Sequence, residues 1–298
     1  MEIKRLIKRA YYAYLRSLFA RKEYRFFLRS AVANIDRKVS AQLAVTNIFG
    51  TLIRPLSLLP PFGKTIMILA PHQDDEVIGC GGMMLLQRKA GYPVQTVFVQ
   101  SGAAEFLQDP QEKQRIIAIR EAEAKAAATL GGFEPPIFLR HAEIKVSNIE
   151  SVAQSIEATI QKIKPDVIFS PFMLDPHADH TLTNVALALA LKKSNYKCRI
   201  MGYEVWSNCI ANVGIGIDEV VEEKKKLIAC YKSQLAQTDY VHSTIGINMY
   251  HSRTFGEPGV KYVEMFFDLP SKEFIDPMIK VAESLWPEQQ KSLRESYA

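Results

Sequence analysis

The sequence predicts an α/β protein: a three-layer sandwich with a mostly parallel sheet covered on both faces, preceded by a helical N-terminal extension. Two observations predict it. Strand-length aliphatic runs alternate with helix-length segments from residue 64 to residue 191. Such alternation is that of a parallel sheet covered on both faces. Two clusters rich in His and Asp follow two of those strands, the position from which an open parallel sheet delivers side chains into a crevice.

The extension comes first. Ile3, Leu6, Ile7, Tyr11, Tyr14, Leu15, Leu18 and Phe19 recur at spacings of three and four with basic residues between them, an amphipathic helical pattern. Residues 1–40 hold 11 Lys or Arg against 3 Asp or Glu, so this segment contributes +8 and the remainder −3 to the net charge of +5. Its first reading is a helical arm packed on its own domain or on a second subunit of an oligomer. Its second is a peripheral contact with an anionic membrane surface. No recognition motif supports nucleic-acid binding. Pro55, Pro60, Pro61 and Gly63 then mark a linker, so the chain divides into an extension with linker at 1–60 and a core domain at 61–298.

Within the core domain, residues 65–70 read as a buried strand, 77–90 as a helix and 94–100 as a strand. Residues 111–130 form a long Ala- and Glu-rich helix closed by Gly131 and Gly132. A short strand at 137–139, a helix at 148–163, a strand at 167–170 and a helix at 182–191 continue the alternation. Beyond Arg199 the rhythm changes: a strand at 200–205, a helix at 218–233, a late strand at 262–269 and a final helix from Ser271.

Composition excludes several classes. The longest apolar runs are broken by Pro or charge well short of the roughly 20 residues that a spanning helix needs. Lys4, Arg5, Lys8, Arg9 and Arg16 interrupt the first apolar positions, so a secretory signal is not expected and a cytoplasmic location, with membrane association through the basic arm as its variant, is. Cys80, Cys198, Cys209 and Cys230 show no C-x-x-C pairing and read as reduced thiols. Gly79-Cys80-Gly81-Gly82 falls after the start of its helix, with no G-x-G-x-x-G and no Walker-type Lys, which argues against a phosphate loop.

The chemistry lies in the two clusters, Pro71-His72-Gln73-Asp74-Asp75-Glu76 and Asp175-Pro176-His177-Ala178-Asp179-His180. His72, Asp75 and His180 supply two imidazoles and a carboxylate, the ligand count of a catalytic zinc site with a fourth position open. Such a cation assists amide hydrolysis by polarising the carbonyl and acidifying a water. Asp74, beside a ligand but directed differently along the turn, is the candidate base. His177 is placed to meet a developing oxyanion or a departing amine, and Asp179 to orient His177. The plain alternative is that Asp74, Asp75 and Glu76 only cap the next helix, where its dipole favours negative charge. Three of the six histidines falling in these two short segments weigh against that.

Ala70-Pro71-His72-Gln73-Asp74-Asp75-Glu76 and His177-Ala178-Asp179-His180 resemble the A-H-P-D-D-E and H-P-D-H motifs of the PIG-L, or LmbE-like, metal-dependent N-deacetylases. Gly81-Gly82, 120–123 and Tyr231-Lys232-Ser233-Gln234 extend the resemblance, which runs over about 64–269. It implies a Rossmann-like fold, Zn2+ or another divalent metal on His72, Asp75 and His180, Asp74 as general base and His177 at the oxyanion. The implied substrate is a small-molecule amino sugar or glycan conjugate of the N-acetylglucosamine type. Arg120 is either a contact for sugar hydroxyls or an ion pair on its helix surface. Gln73 and Ala178 stand where the family has Pro, which loosens two turns without removing a ligand. The family's aspartate after the third strand is missing, leaving His141 or Glu143 as substitutes. Two other readings remain: an amidase acting on a larger acyl or thiol conjugate, and a metal- or glycan-binding module without turnover.

Overall fold

Residues 66–70 read Ile-Met-Ile-Leu-Ala, and all five are buried. A run with no polar face can only sit between two covering layers. It forms the central strand β2 of an eight-stranded sheet in the computed structural model, which describes residues 55–103, 107, 109–209 and 211–285. The helical extension expected over residues 1–45 lies outside the described residues.

The strands are β1 (Leu56–Ser57), β2 (Ile66–Ala70), β3 (Val94–Gln100), β4 (Ile137–His141), β5 (Val167–Pro171), β6 (Arg199–Tyr203), β7 (Val213–Gly216) and β8 (Val263–Pro270). Their order across the sheet is β1-β7-β8-β6-β5-β2-β3-β4. All pairings are parallel except those of β8 with β6 and β7, which are antiparallel. The helices are α1 (Asp75–Lys89), α2 (Pro110–Gly131), α3 (Ile149–Ile163), α4 (Ala178–Ser194), α5 (Val221–Ile228), α6 (Lys232–Leu235), α7 (Tyr240–Phe255) and α8 (Ser271–Leu285).

Alternation along β2 divides the core. Ile66, Ile68 and Ala70 pack with Val77, Met83 and Leu86 of α1 and Leu227 of α5. Met67 and Leu69 face the other way, against Ile156 and Ile160 of α3, Val185 and Leu189 of α4, and Phe274 of α8. The sheet is thus the middle layer of three. From β2 the chain moves outward to β3, while β5 and β6 lie on the opposite side of β2, so the strand order reverses at β2. The carboxyl ends of β2 and β5 border the crevice that such a reversal opens.

A buried ion pair fixes α1 to this frame. Lys224 Nζ donates to Glu264 Oε1 (2.6 Å), to Asn248 Oδ1 (3.0 Å) and to the carbonyl of Ile78 (2.9 Å). Glu264 in turn accepts the backbone N–H groups of Gly82 and Met83, each at 2.7 Å. Both charges are fully paired, the condition under which buried ions are tolerated.

The strand and helix alternation up to residue 194 is as expected, and the last third departs from expectation. The helix expected over 218–233 is divided into a 3-10 turn at Asp218–Val220, α5 and α6. Helix α7, strand β7 and strand β1 are additional. Strand β1 falls within the Pro-rich stretch 54–64 and pairs with Val213 and Gly214. No described helix is long and apolar enough to cross a membrane.

Candidate active site

The turn from β2 into α1 is strained where it carries the first cluster. Asp74, the residue before α1, has φ 132°, in the left-handed half of backbone space that a non-glycine residue occupies only at a cost. Its side chain makes no capping hydrogen bond to the helix, so helix capping does not account for it. The Asp75 carboxylate instead turns back to accept the His72 backbone N–H at 2.9 Å. Glu76 accepts the Asp74 N–H at 3.1 Å and a short hydrogen bond from the Tyr231 hydroxyl. Gln73 is fully buried and its amide donates to the carbonyl of Gln100 at 2.9 Å, tying the turn to the end of β3.

The second cluster arrives on the first turn of α4. His180 is fully buried, and His72 lies across from it with ring centroids 5.7 Å apart. Asp75 Oδ2 is 3.2 Å from His72 Nδ1 and 3.4 Å from His180 Nε2. One ligand atom from each of His72, Asp75 and His180 lies within 4.8 Å of the other two, a spread that a single divalent cation can bridge. Neither ring nitrogen of His180 has a partner in hydrogen-bond geometry, although both are buried. A buried polar atom in that condition is uncommon and fits a site completed by a cation.

The histidines also have carboxylates behind them. Asp179 Oδ2 is 3.0 Å from His72 Nε2 and 3.9 Å from His177 Nδ1, so its nearer partner is His72, where the sequence reading had paired it with His177. Asp175 Oδ1 is 3.2 Å from His180 Nδ1 and accepts the His177 N–H at 3.0 Å. Its Oδ2 accepts the Trp206 N–H at 2.9 Å. His177 is half-buried, and its ring stacks on the Trp206 indole with centroids 5.9 Å apart and planes 22° from parallel. His72, His177 and Asp179 form a second trio within the same 4.8 Å spread.

Electrostatics separates the two neighbouring aspartates. Burial and the charge of Asp75 push the Asp74 carboxyl up to about 7, against the opposing pull of Arg120, His72 and His180. Asp75 is equally buried, yet the two histidines hold it well below the usual carboxylate range. Burial likewise pushes Glu76 up to about 8. For His72 and His180, burial disfavours the charged ring, but the adjoining carboxylates outweigh it and raise them to about 9 and about 10. Burial pulls His177 below its ordinary value, with the neighbouring histidines adding to the effect.

Arg120, on α2, donates to the carbonyl of Gly102 at 3.2 Å and interacts electrostatically with Asp74, so it faces the cluster. It borders an open cavity of about 530 Å³ shared with Ile116, Ser233 and Gln234. His141 and Glu143 are not brought in. The His141 ring pairs with Ser155 at 3.1 Å and Glu143 with Lys145 at 2.8 Å, and no hydrogen bond or ion pair joins either to the histidine cluster among the described residues. Asp175 and Trp206 join the site beyond the residues that the two motifs mark. The D-x-H spacing ahead of His177 was a signal for the first; the second depends on a loop 31 residues away.

Residues 67–191 match the family described as PIG-L, GlcNAc-PI de-N-acetylase. The match covers less than half of the chain. Several solved structures share its fold. The N,N'-diacetylchitobiose deacetylase from Pyrococcus horikoshii is 22% identical, with 72% of this chain and 86% of that chain covered at a TM-score of 0.60. The zinc-inhibited form of teicoplanin deacetylase is 17% identical over 68% and 97% of the two chains, at a TM-score of 0.54. The 4-carboxy-2-hydroxymuconate hydratase from Pseudomonas putida is 18% identical over 69% and 96%, at a TM-score of 0.53. At these identities the likeness is one of fold. Deacetylases and a hydratase share it, so the reaction must be argued from the side chains of this chain's own site.

Proposed function

We propose that the chain is a divalent-metal-dependent N-deacetylase, a hydrolase of a linear amide bond, acting on an N-acetylglucosamine-type amino sugar or glycan conjugate. The observation that carries this reading is the convergence of His72, Asp75 and His180 on one point, with Asp74 and His177 beside it. The family match and the deacetylases of like fold support the same reading.

His72, Asp75 and His180 would hold the cation, with zinc the first candidate. When bound, the cation supplies Lewis-acid polarisation of an amide carbonyl and acidifies a water. Asp74, buried beside the proposed ligand Asp75 and not needed to hold the cation, accepts the proton of the attacking water. His177 donates a hydrogen bond to the developing oxyanion or passes a proton to the departing amine. Asp179 and Asp175 orient His72 and His180 through the ring nitrogens turned away from Asp75. Arg120 is the substrate contact that the geometry favours, since it faces Asp74 rather than an ion-pair partner on its own helix.

The basic segment ahead of β1 would serve as an arm packed on its own domain or on a second subunit, or as a contact with an anionic membrane surface, while Leu56–Ser57 already belongs to the sheet of the domain. The test is acetate release from free, lipid-linked and nucleotide-linked N-acetylhexosamines, before chelation, after it, and after metal is restored. Chelator-sensitive release restored by metal is expected. No release from any member by protein with metal bound overturns the reading and leaves the larger-amide and non-catalytic alternatives.

A further inference from the structure

Asp74 holds its φ of 132° without help from its own side chain, which makes no capping hydrogen bond. A non-glycine residue stays in that region only where its surroundings over-determine the backbone. On the carbonyl side α1 itself does this, since the Val77 and Ile78 N–H groups each donate to the Asp74 oxygen at 3.1 Å. On the amide side the Asp74 N–H donates to Glu76 Oε2 at 3.1 Å. The turn therefore depends on where the Glu76 carboxylate stands.

The other oxygen of that carboxylate, Oε1, accepts the short hydrogen bond from the Tyr231 hydroxyl. Tyr231 is fully buried in the core that also holds Val77 and Met83, so packing fixes its ring. Its main chain is fixed as well. Tyr231 lies between α5 and α6, and its N–H donates to the Ile228 carbonyl at 3.1 Å. Two residues on, the Ser233 N–H and Oγ donate to the Glu123 carboxylate of α2 at 2.8 Å and 2.7 Å. The hydroxyl thus reaches Glu76 from a rigid anchor 155 residues away along the chain. Helix capping asks for no such partner, since a carboxylate in a first helical turn meets the dipole and the free N–H groups while still facing water. Glu76 is instead buried, with a tyrosine on one oxygen and the Asp74 backbone on the other.

We propose that Tyr231 is a positioning residue for the reaction: through Glu76 it holds the Asp74 backbone in the strained turn from which the Asp74 carboxylate reaches the attacking water. The proposal rests on the deacetylase reading, in which Asp74 is the base. Asp75 is held separately, by the His72 N–H, so removing the Tyr231 hydroxyl is a change at the base and not at the metal ligands.

The test is Tyr231→Phe in full-length, zinc-loaded protein, alone and combined with Asp74→Asn. Phe keeps the ring and its apolar contacts, so the fold is kept. Acetate release from the panel of N-acetylhexosamines is one readout, and amide hydrogen exchange at Asp74, followed by NMR, is the other. Metal content and KM are expected to equal the parent's, while kcat falls by up to about 100-fold, the loss that a displacement on the order of 1 Å produces. The Asp74 N–H is expected to lose protection, while the Met83 N–H, held by Glu264, keeps it. Because the hydroxyl acts through Asp74, Tyr231→Phe should lower kcat no further in the Asp74→Asn protein. A parental kcat in Tyr231→Phe overturns the proposal, as does a loss that adds in full to that of Asp74→Asn, the behaviour of a merely structural tyrosine. If the parent releases acetate from no member of the panel, the deacetylase reading fails and the exchange measurement decides alone: lost protection at Asp74 upholds the tie from Tyr231 to the turn, and unchanged protection overturns it.

Discussion

Asp175 and His180 sit 3.2 Å apart, carboxylate oxygen to ring Nδ1, with both side chains sealed from solvent. The same carboxylate accepts the backbone N–H groups of His177 and Trp206. One buried aspartate therefore stands behind the ring of a proposed ligand and holds the backbone at the start of α4 and at Trp206. Carboxylates behind metal-binding histidines commonly change metal affinity by about 10- to 100-fold when removed. Asp175→Asn is expected to weaken zinc binding within that range in competition with a chelator, while circular dichroism still reports a folded chain. Affinity equal to the parent's would assign Asp175 a purely structural role.

Asp74→Asn separates the base from the ligands. The substitution keeps the size of the side chain and leaves His72, Asp75 and His180 intact. Metal content is expected to equal the parent's, while kcat falls by about 10²- to 10⁴-fold, the usual contribution of a general base. Retained activity with full metal occupancy would remove Asp74 from the mechanism.

Metal addition should be visible in stability. A cation that binds only the folded chain stabilises it by about 2.7 kcal/mol at a concentration one hundred times its Kd. For a domain of this size that is a rise in Tm of roughly 5–10 °C. The rise should shrink as pH is lowered, because protons compete with the cation for the imidazoles. It should vanish in His180→Ala, and a full shift in that variant would place the cation elsewhere.

Much of this was legible in the sequence for a local reason. Strand β2 is apolar at every position, and α2 carries Asp109 before it and Gly132 after it, so periodicity and caps define these elements without help from the rest of the chain. The cluster residues are adjacent to strand ends, and the topology alone brings two strand ends together. Helix α7 was not legible because Tyr240, Val241, Thr244, Ile245, Ile247 and Thr254 are β-branched or aromatic, with Gly246 among them, and tertiary packing overrides that weak propensity. Its Asp239 cap, which accepts from the His242 N–H, was the available signal. Asp179 was read with its neighbour His177, but its reach to His72 crosses 107 residues and depends on the fold.

Gly102 couples the turn to Arg120. Its φ is 83°, and an added Cβ would stand 2.4 Å from Gln73 Oε1 and 2.6 Å from Arg120 Cδ. Gly102→Ala therefore carries a backbone cost on the order of 1–3 kcal/mol and displaces two side chains that face the cluster. A lower Tm together with a raised KM is expected. A lower Tm with unchanged kinetics would detach Arg120 from substrate binding.

The Arg140–Glu121 pair gives a pH test outside the cluster. Two hydrogen bonds from Arg140, at 2.6 Å and 3.0 Å, hold the Glu121 carboxyl below its ordinary value. A carboxyl lowered by folding contributes stability at pH values above its unfolded value and loses that contribution as the pH falls through the folded one. Glu121→Gln should therefore lower Tm slightly at pH 7, the pair being largely exposed on the Arg140 side, and the gap from the parent should close as the pH drops below about 4. A gap that stays constant across that range would mean that packing, not charge, is what the substitution removes.

The buried Lys224–Glu264 pair makes the strongest stability prediction. Lys224→Met leaves the Glu264 carboxylate in the core with its two backbone donors but no countercharge, and breaking one partner of such a pair costs about 3–5 kcal/mol. Glu264→Gln in the same protein removes the orphaned charge while keeping an oxygen for one of the two backbone N–H groups, that of Gly82 or that of Met83. The double variant should therefore recover part of the loss in urea denaturation. Because α1 is pinned through these bonds and begins at Asp75, the single variant should also lose metal affinity, and the double variant should regain it. A double variant no more stable than the single one would show that Lys224 acts through its bonds to Ile78 and Asn248 and not through the charge of Glu264.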